Sequence, residues 1–122
     1  MTASFITDFL RKLDFEPDEV VKVLAPEFTF CVLYSIDGEA HEFAGGLAEY
    51  RGYLDQRQPD GQAHHVELST RTGQTEVVLG HTTRYGKRLG TFTMAAQVDA
   101  QERAVRIYAA RTTSLPFEGV AS

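Results

Sequence analysis

The chain has 122 residues, 43% of them hydrophobic and 24% charged, enough for one domain with a single core. Its formal net charge of −5, with no basic run longer than two residues, argues against nucleic acid, whose phosphates need a clustered basic face. The single cysteine, Cys31, excludes an internal disulfide, no apolar run reaches the roughly 20 residues of a membrane span, and "MTASFITDFLRKLDF" has no signal-peptide core, so a cytoplasmic protein without membrane attachment is expected.

Phe5, Ile6, Phe9, Leu10 and Leu13 recur at the spacing of one helix face, with Asp8 and Arg11 on the opposite side. In "EPDEVVKVLAP", Pro17 suits a first helical position, acids crowd the start, and Pro26 is a stop, which predicts a second helix. "EFTFCVLYSIDGEAHEF" is aromatic and β-branched around Asp37-Gly38, so a strand, a turn and a short second strand are predicted. Gly45-Gly46 then opens "LAEYRGYLDQR", a third helix with Leu47, Tyr50 and Leu54 on one stripe, ended by "QPDG". Everything after His64 reads as strand: "HHVELSTR", "EVVLGHTTRY", "LGTFTMAAQV" and "AVRIYAARTTS". The order predicts an α+β domain, three helices packed on a strongly curved, mixed but mainly antiparallel sheet. Its core covers about residues 3–113, and "LPFEGVAS" is a flexible tail in which Leu115 and Phe117 could cover an open end.

Opposed residues in a meander share a face, so the turns set which side chains converge. Two-residue turns at Gly73-Gln74, Gly86-Lys87 and Ala100-Gln101 put Leu68 opposite Leu79, Leu79 opposite Met94, and Met94 opposite Ile107. One layer along, Val66, His81, Phe92 and Ala109 line up; the next layer holds His64, Thr83, Gly90 and Arg111. This face is apolar at its centre and polar at one end. His81 at that border could be a packed core residue, a ligand contact or a base. A recess with apolar walls and a few convergent polar groups is the usual composition of a small-molecule site. The other face has Val78, Gly80, Thr82, Thr91, Thr93, Ala95, Tyr108 and Ala110 at its centre, with Glu67, Arg71, Glu76 and Arg106 around it. A neutral centre with a charged rim predicts a homodimer through Thr82, Thr91, Thr93, Ala95 and Tyr108.

The order of elements, with "FAGGLAEYRGYL" leading into the third helix and "AVRIYAART" in the last strand, resembles the NTF2-like (SnoaL-like) superfamily over roughly residues 3 to 113. The resemblance implies a cystatin-like cone, a bent mixed sheet wrapped around three helices, with an apolar pocket and a dimerising outer sheet face. Members include ketosteroid isomerases, epoxide hydrolases, polyketide cyclases, scytalone dehydratase and non-catalytic binding modules, and the fold alone does not choose among them. The ketosteroid-isomerase type needs one carboxylate base on the first strand and one protonated acid on the third strand of the meander. Those positions hold Val32 and Met94, so that machinery is absent. The epoxide-hydrolase type needs an Asp-Arg-Asp arrangement; Arg111 is present, but Glu67 and Glu76 read as pointing outward. Scytalone dehydratase uses histidines and tyrosines in its cavity, and the corresponding residue types here are His64, His81 and Tyr34.

The expected function is therefore binding of a mostly hydrophobic small molecule carrying a carbonyl, phenol or carboxylate. Phe30, Val32, Val66, Leu79, Phe92, Met94, Ile107 and Ala109 would form the apolar wall, and His64, His81, Tyr34, Thr83 and Arg111 the polar end. The alternative is a lyase, isomerase or cyclase that uses His64 and His81 as acid and base. A second alternative is a non-catalytic dimerisation scaffold. No metal is expected, since His64 and His81 supply only two ligands and adjacent His64-His65 point to opposite faces. No cofactor fingerprint occurs either.

Overall fold

The Ser4 hydroxyl accepts a hydrogen bond from the Thr7 amide, which caps helix α1 (Phe5–Phe15). The helix buries Ile6, Phe9, Leu10 and Leu13, the stripe legible in the sequence. The structure, a computed structural model, describes residues 4–57 and 60–113. Gln58 and Pro59 of the expected helix stop, and the tail with Leu115 and Phe117, lie outside the described residues.

The first turn of α1 is tied to the sheet by Glu76. Its carboxylate accepts from the Ser4 hydroxyl at 2.6 Å, the Ile6 amide at 2.8 Å and the Phe5 amide at 3.1 Å. The expectation that Glu76 points outward is corrected: it is 3% exposed. A buried carboxylate is stable there because it meets the unpaired amides and the positive end of the helix dipole.

The predicted second helix is two single 3-10 turns, Pro17–Glu19 and Val21–Val23. Valines at 20, 21 and 23 are stiff, weak helix formers, and Leu24 already pairs with Ala104 in the sheet. Pro26 therefore does not end a helix; it sits inside strand β1 (Leu24–Ile36), in the irregular stretch between Leu24 and Thr29. A proline is tolerated there because the ladder is interrupted.

Strand β2 (Glu39–Gly46) follows a tight Asp37-Gly38 turn, and α2 (Leu47–Gln56) begins directly after Gly46. Strands β3 (Gln62–Thr72), β4 (Thr75–Arg84), β5 (Lys87–Val98) and β6 (Ala104–Thr112) complete one six-stranded sheet. The spatial order is β2-β1-β6-β5-β4-β3. Only β1 and β6 run parallel. The fold is α+β, with the helical segments packed on one face of a curved mixed sheet. Register shifts interrupt β1, β3, β5 and β6 pairings, and such bulges bend strands.

The register differs from the expectation in the β4–β5 hairpin, with large consequences. Tyr85 and Gly86 occupy the β4–β5 turn at φ 51° and 83°, and Arg84 pairs with Lys87. The turn lies one residue earlier than Gly86-Lys87, which by itself shifts the pairing by two. A bulge at Leu89, between Arg88 opposite Thr83 and Gly90 opposite Thr82, takes one back, and this odd net shift makes the side chains of β4 before Thr83 exchange faces relative to β5. Val78, not Leu79, opposes Met94, and Gly80, not His81, opposes Phe92. Val78, Gly80 and Thr82 face the core, and Leu79, His81 and Thr83 face outward. Tyrosine is unusual at such a position, where Asn, Asp or Gly is favoured. It is held by tertiary contact: its amide donates to the Gly61 carbonyl at 2.9 Å. Its ring also lies over Gly61, where an added Cβ would come within 2.3 Å.

A second irregularity cancels the first on β3. The turn at Gly73-Gln74 forms as expected, with Thr72 opposite Thr75 and Leu68 opposite Leu79. A bulge at Glu67 then brings Val66 opposite Gly80 and His64 opposite Thr82. Val66 and His64 thus return to the inner face. At the β5–β6 connection, Val98 pairs with Ala104 and Asp99 closes the loop by accepting from the Gln101 and Arg103 amides. The longer loop shifts the pairing by one and the bulge between Gln97 and Val98 by one more, so Met94 opposes Ala109 instead of Ile107, an even net shift that leaves β6 on its expected face.

Candidate functional site

The inner face of the sheet and the two α-helices enclose a recess of about 1030 Å³. Phe9, Leu10 and Leu13 of α1 and Tyr50 and Tyr53 of α2 form one wall. Phe30, Val32, Phe92, Met94, Ile107 and Ala109 of the sheet form the other, with Tyr34, His64 and Arg111 toward one end. Val66, expected in the apolar wall, packs against the same core but does not line the recess. The aromatic side is closely built: the Phe30 ring lies 4.8 Å from Phe43 and 5.0 Å from Tyr50, both edge-on. Burial pushes the Tyr50 hydroxyl well above the ordinary tyrosine range.

His64 is held by a carboxylate that the sequence reading did not assign. Its backbone amide donates to Asp14 Oδ2 at 2.8 Å, and its Nδ1 lies 2.9 Å from Oδ1 and 3.1 Å from Oδ2. A carboxylate only accepts, so this contact assigns the proton to Nδ1 and leaves Nε2 as the acceptor of the neutral ring. The ring also meets Phe92 edge-on at 5.2 Å. The Asp14 side chain is 1% exposed. Burial acts to raise its carboxyl, but the hydrogen bonds and charge of His64, with the Arg57 charge, outweigh that and hold it below its ordinary value. Arg57, at the end of α2, also donates to the Leu13 carbonyl, satisfying an acceptor in the last turn of α1. Three elements thus meet at Asp14.

Asp14 was findable. It stands four residues after Leu10 and so flanks the buried stripe of α1. Arg57 carries no such periodic signal, because it lies just past the helix end.

His81 is not in the recess. It lies on the outer face beside His65, the two rings stacked at 4.8 Å, while His65 Nε2 meets Thr83 Oγ1 at 2.9 Å. His81 Nδ1 is 3.2 Å from Glu67 Oε1 but not aligned with it as a hydrogen bond. The expected convergence of His64, His81 and Thr83 is corrected by the β4–β5 register, and Leu79 leaves the apolar wall for the same reason. Tyr34 stays at the recess, its ring stacked on exposed His41 at 5.2 Å. Arg111 lies between Tyr34 and Phe92 in the ladder. Val32 and Met94 line the recess as apolar residues, so no carboxylate stands at either position.

No family model matches the sequence, and no curated protein matches it. Solved structures do match. A "putative ketosteroid isomerase" from Kribbella flavida aligns at 16% identity over 94% of this chain and 81% of its own, with a TM-score of 0.64. An "NTF2-like protein of unknown function" from Cytophaga hutchinsonii aligns at 14% identity over 89% and 92%, with a TM-score of 0.60. A "putative isomerase of the SnoaL-like family" from Agrobacterium tumefaciens aligns at 11% identity over 88% and 93%, with a TM-score of 0.62. These likenesses concern the fold. The chain has the NTF2-like, SnoaL-like fold, the cystatin-like α+β cone.

Proposed function

We propose that this protein binds a mostly apolar small molecule in the recess, with His64 as the polar contact that fixes its orientation. The observation that carries this reading is the Asp14–His64 contact at 2.9 Å beside apolar walls on both the sheet and the helices. A site of this kind gains affinity from the walls and specificity from a few polar groups. The ligand would carry a carbonyl, phenol or carboxylate oxygen within reach of the imidazole. Filling the recess tests the reading. Met94→Trp should cut uptake of cyclic ketones and phenols at least tenfold, about the loss expected from removing one good apolar contact, while changing the unfolding midpoint little. Equal losses of binding and stability would assign Met94 to packing alone.

A second reading, a lyase, isomerase or cyclase, is favoured by the same pair. An imidazole fixed by a buried carboxylate is an oriented base, since Asp14 stabilises the imidazolium formed when Nε2 takes a proton. Nε2 would remove a proton next to the ligand's carbonyl and return it at another position or to a leaving hydroxyl. With His81 on the outer face, one histidine would perform both transfers. A screen of cyclic ketones, epoxides and hydroxylated aromatics tests it. His64→Gln should lower any turnover found by about two to four orders of magnitude while leaving binding within tenfold. Turnover that survives the substitution would exclude His64 as the base.

The outer sheet face is proposed to pair with a second copy of the chain. It presents Leu68, Val77 and Tyr108, which are 54%, 42% and 45% exposed, around Thr93 and Ala95. Among the described residues no helix is long and apolar enough to cross a membrane; a cytoplasmic location is proposed from the cysteine usage alone.

A further inference from the structure

Three arginines line the recess, Arg57, Arg84 and Arg111. Two are matched by carboxylates already present: Arg57 reaches Asp14 at 3.4 Å and Arg84 reaches Asp60 at 3.5 Å. Arg111 has neither a hydrogen bond nor an ion pair among the described residues. Asp37 lines the same recess from the β1–β2 turn but forms no ion pair with it. A guanidinium beside apolar walls loses hydration without compensation unless an anion meets it. Its planar fork of donors matches a carboxylate bidentately, and low polarity around it strengthens the contact.

We propose that Arg111 anchors a carboxylate of the ligand, which narrows the ligand class to hydrophobic carboxylic acids. The inference rests on the recess being the binding site, and it deepens that reading. Position supports it. Arg111 opposes Phe92 on β5, and the Phe92 ring meets His64 edge-on at 5.2 Å. Strands β3 and β6 are three strand spacings apart, about 14 Å between backbones. Both side chains reach inward from that span, so a skeleton of one or two rings fits between the cation and the imidazole. A single free cation matches a monoanion better than a phosphate dianion, whose second charge would find no partner.

The test is a titration with 2-naphthoic acid, 2-naphthamide and 2-naphthyl phosphate. Naphthalene emission can be followed directly, because the chain contains no tryptophan. The acid should bind about tenfold or more tighter than the amide, the margin of one charge-assisted bidentate contact. Arg111→Gln should erase that preference, and Arg111→Lys should keep part of it, which separates lost charge from lost folding. Equal affinity of acid and amide in the wild type, or a preference that survives in Arg111→Gln, would overturn the proposal and leave the recess as a neutral binding site. A phosphate that outcompetes the acid would overturn the carboxylate assignment. Failure of all three probes to bind would overturn the recess reading as well.

Discussion

Asp14 and His64 are 50 residues apart in sequence, and their contact explains both the ring's orientation and part of the link between α1 and β3. The Asp14 carboxyl is held below its ordinary value of 3.8 despite burial. A folded value lower than the unfolded one gives stability that is complete above the unfolded value and is lost as pH falls through the folded one. Asp14→Asn should therefore destabilise the protein near neutral pH, by about 1–3 kcal/mol for a disrupted buried hydrogen-bond set. It should also flatten the decline in stability below about pH 4, where the wild type loses this contribution. Urea midpoints measured across that range check both effects; parallel acid limbs in wild type and variant would remove Asp14 from the account. His64 was legible as an inward residue from its place at the start of the meander. Its partner required knowing where a helix end meets a strand, which no local pattern encodes.

At the scale of elements, the turns and the bulges beside them decide what each strand presents. Asp37-Gly38 and Gly73-Gln74 carry ordinary turn residues, and both hairpins form where the sequence puts them. The β4–β5 turn escaped because Tyr85 takes a left-handed conformation for a tertiary reason, its packing on Gly61. Gly80 records the consequence: a Cβ there would come within 2.8 Å of the Phe92 ring, so that ring occupies the space over β4 where an inward side chain would otherwise stand. The corrected register also makes the outer face more apolar than first read. Thr82, 2% exposed, is withdrawn into the core, while Leu79 and Val77 move outward to join Thr93, Ala95 and Tyr108. Two such faces can pack about a two-fold axis. An arginine replacing Thr93 would bury an unpaired charge at the centre of that contact, so Thr93→Arg should shift a dimer toward monomer. Light scattering at tens of micromolar (about the range in which a weak interface dissociates) checks this, and a wild-type monomer there would contradict the proposed pairing.

For the whole molecule, the element order and the two amphipathic helices were enough to read the α+β cone, because its core rests on α1, Tyr50 and alternate residues of β5 and β6. Phe92, Met94, Ile107, Ala109 and Arg111 kept their faces because the β5–β6 loop and the bulge beside it sum to a shift of two residues. What the sequence hid were the β5 bulge at Leu89, which with the displaced turn leaves an odd net shift, and the bulge that undoes it on β3. Together they separate two histidines that a regular meander would have brought together. The central claim is that chemistry belongs to His64 and its recess, and that His81 belongs to the outer face. Imidazole resonances followed by NMR during a titration with 2-naphthoic acid test it directly. His64 should shift progressively to saturation while His65 and His81 stay unchanged; a shift at His81 with His64 silent would contradict the account.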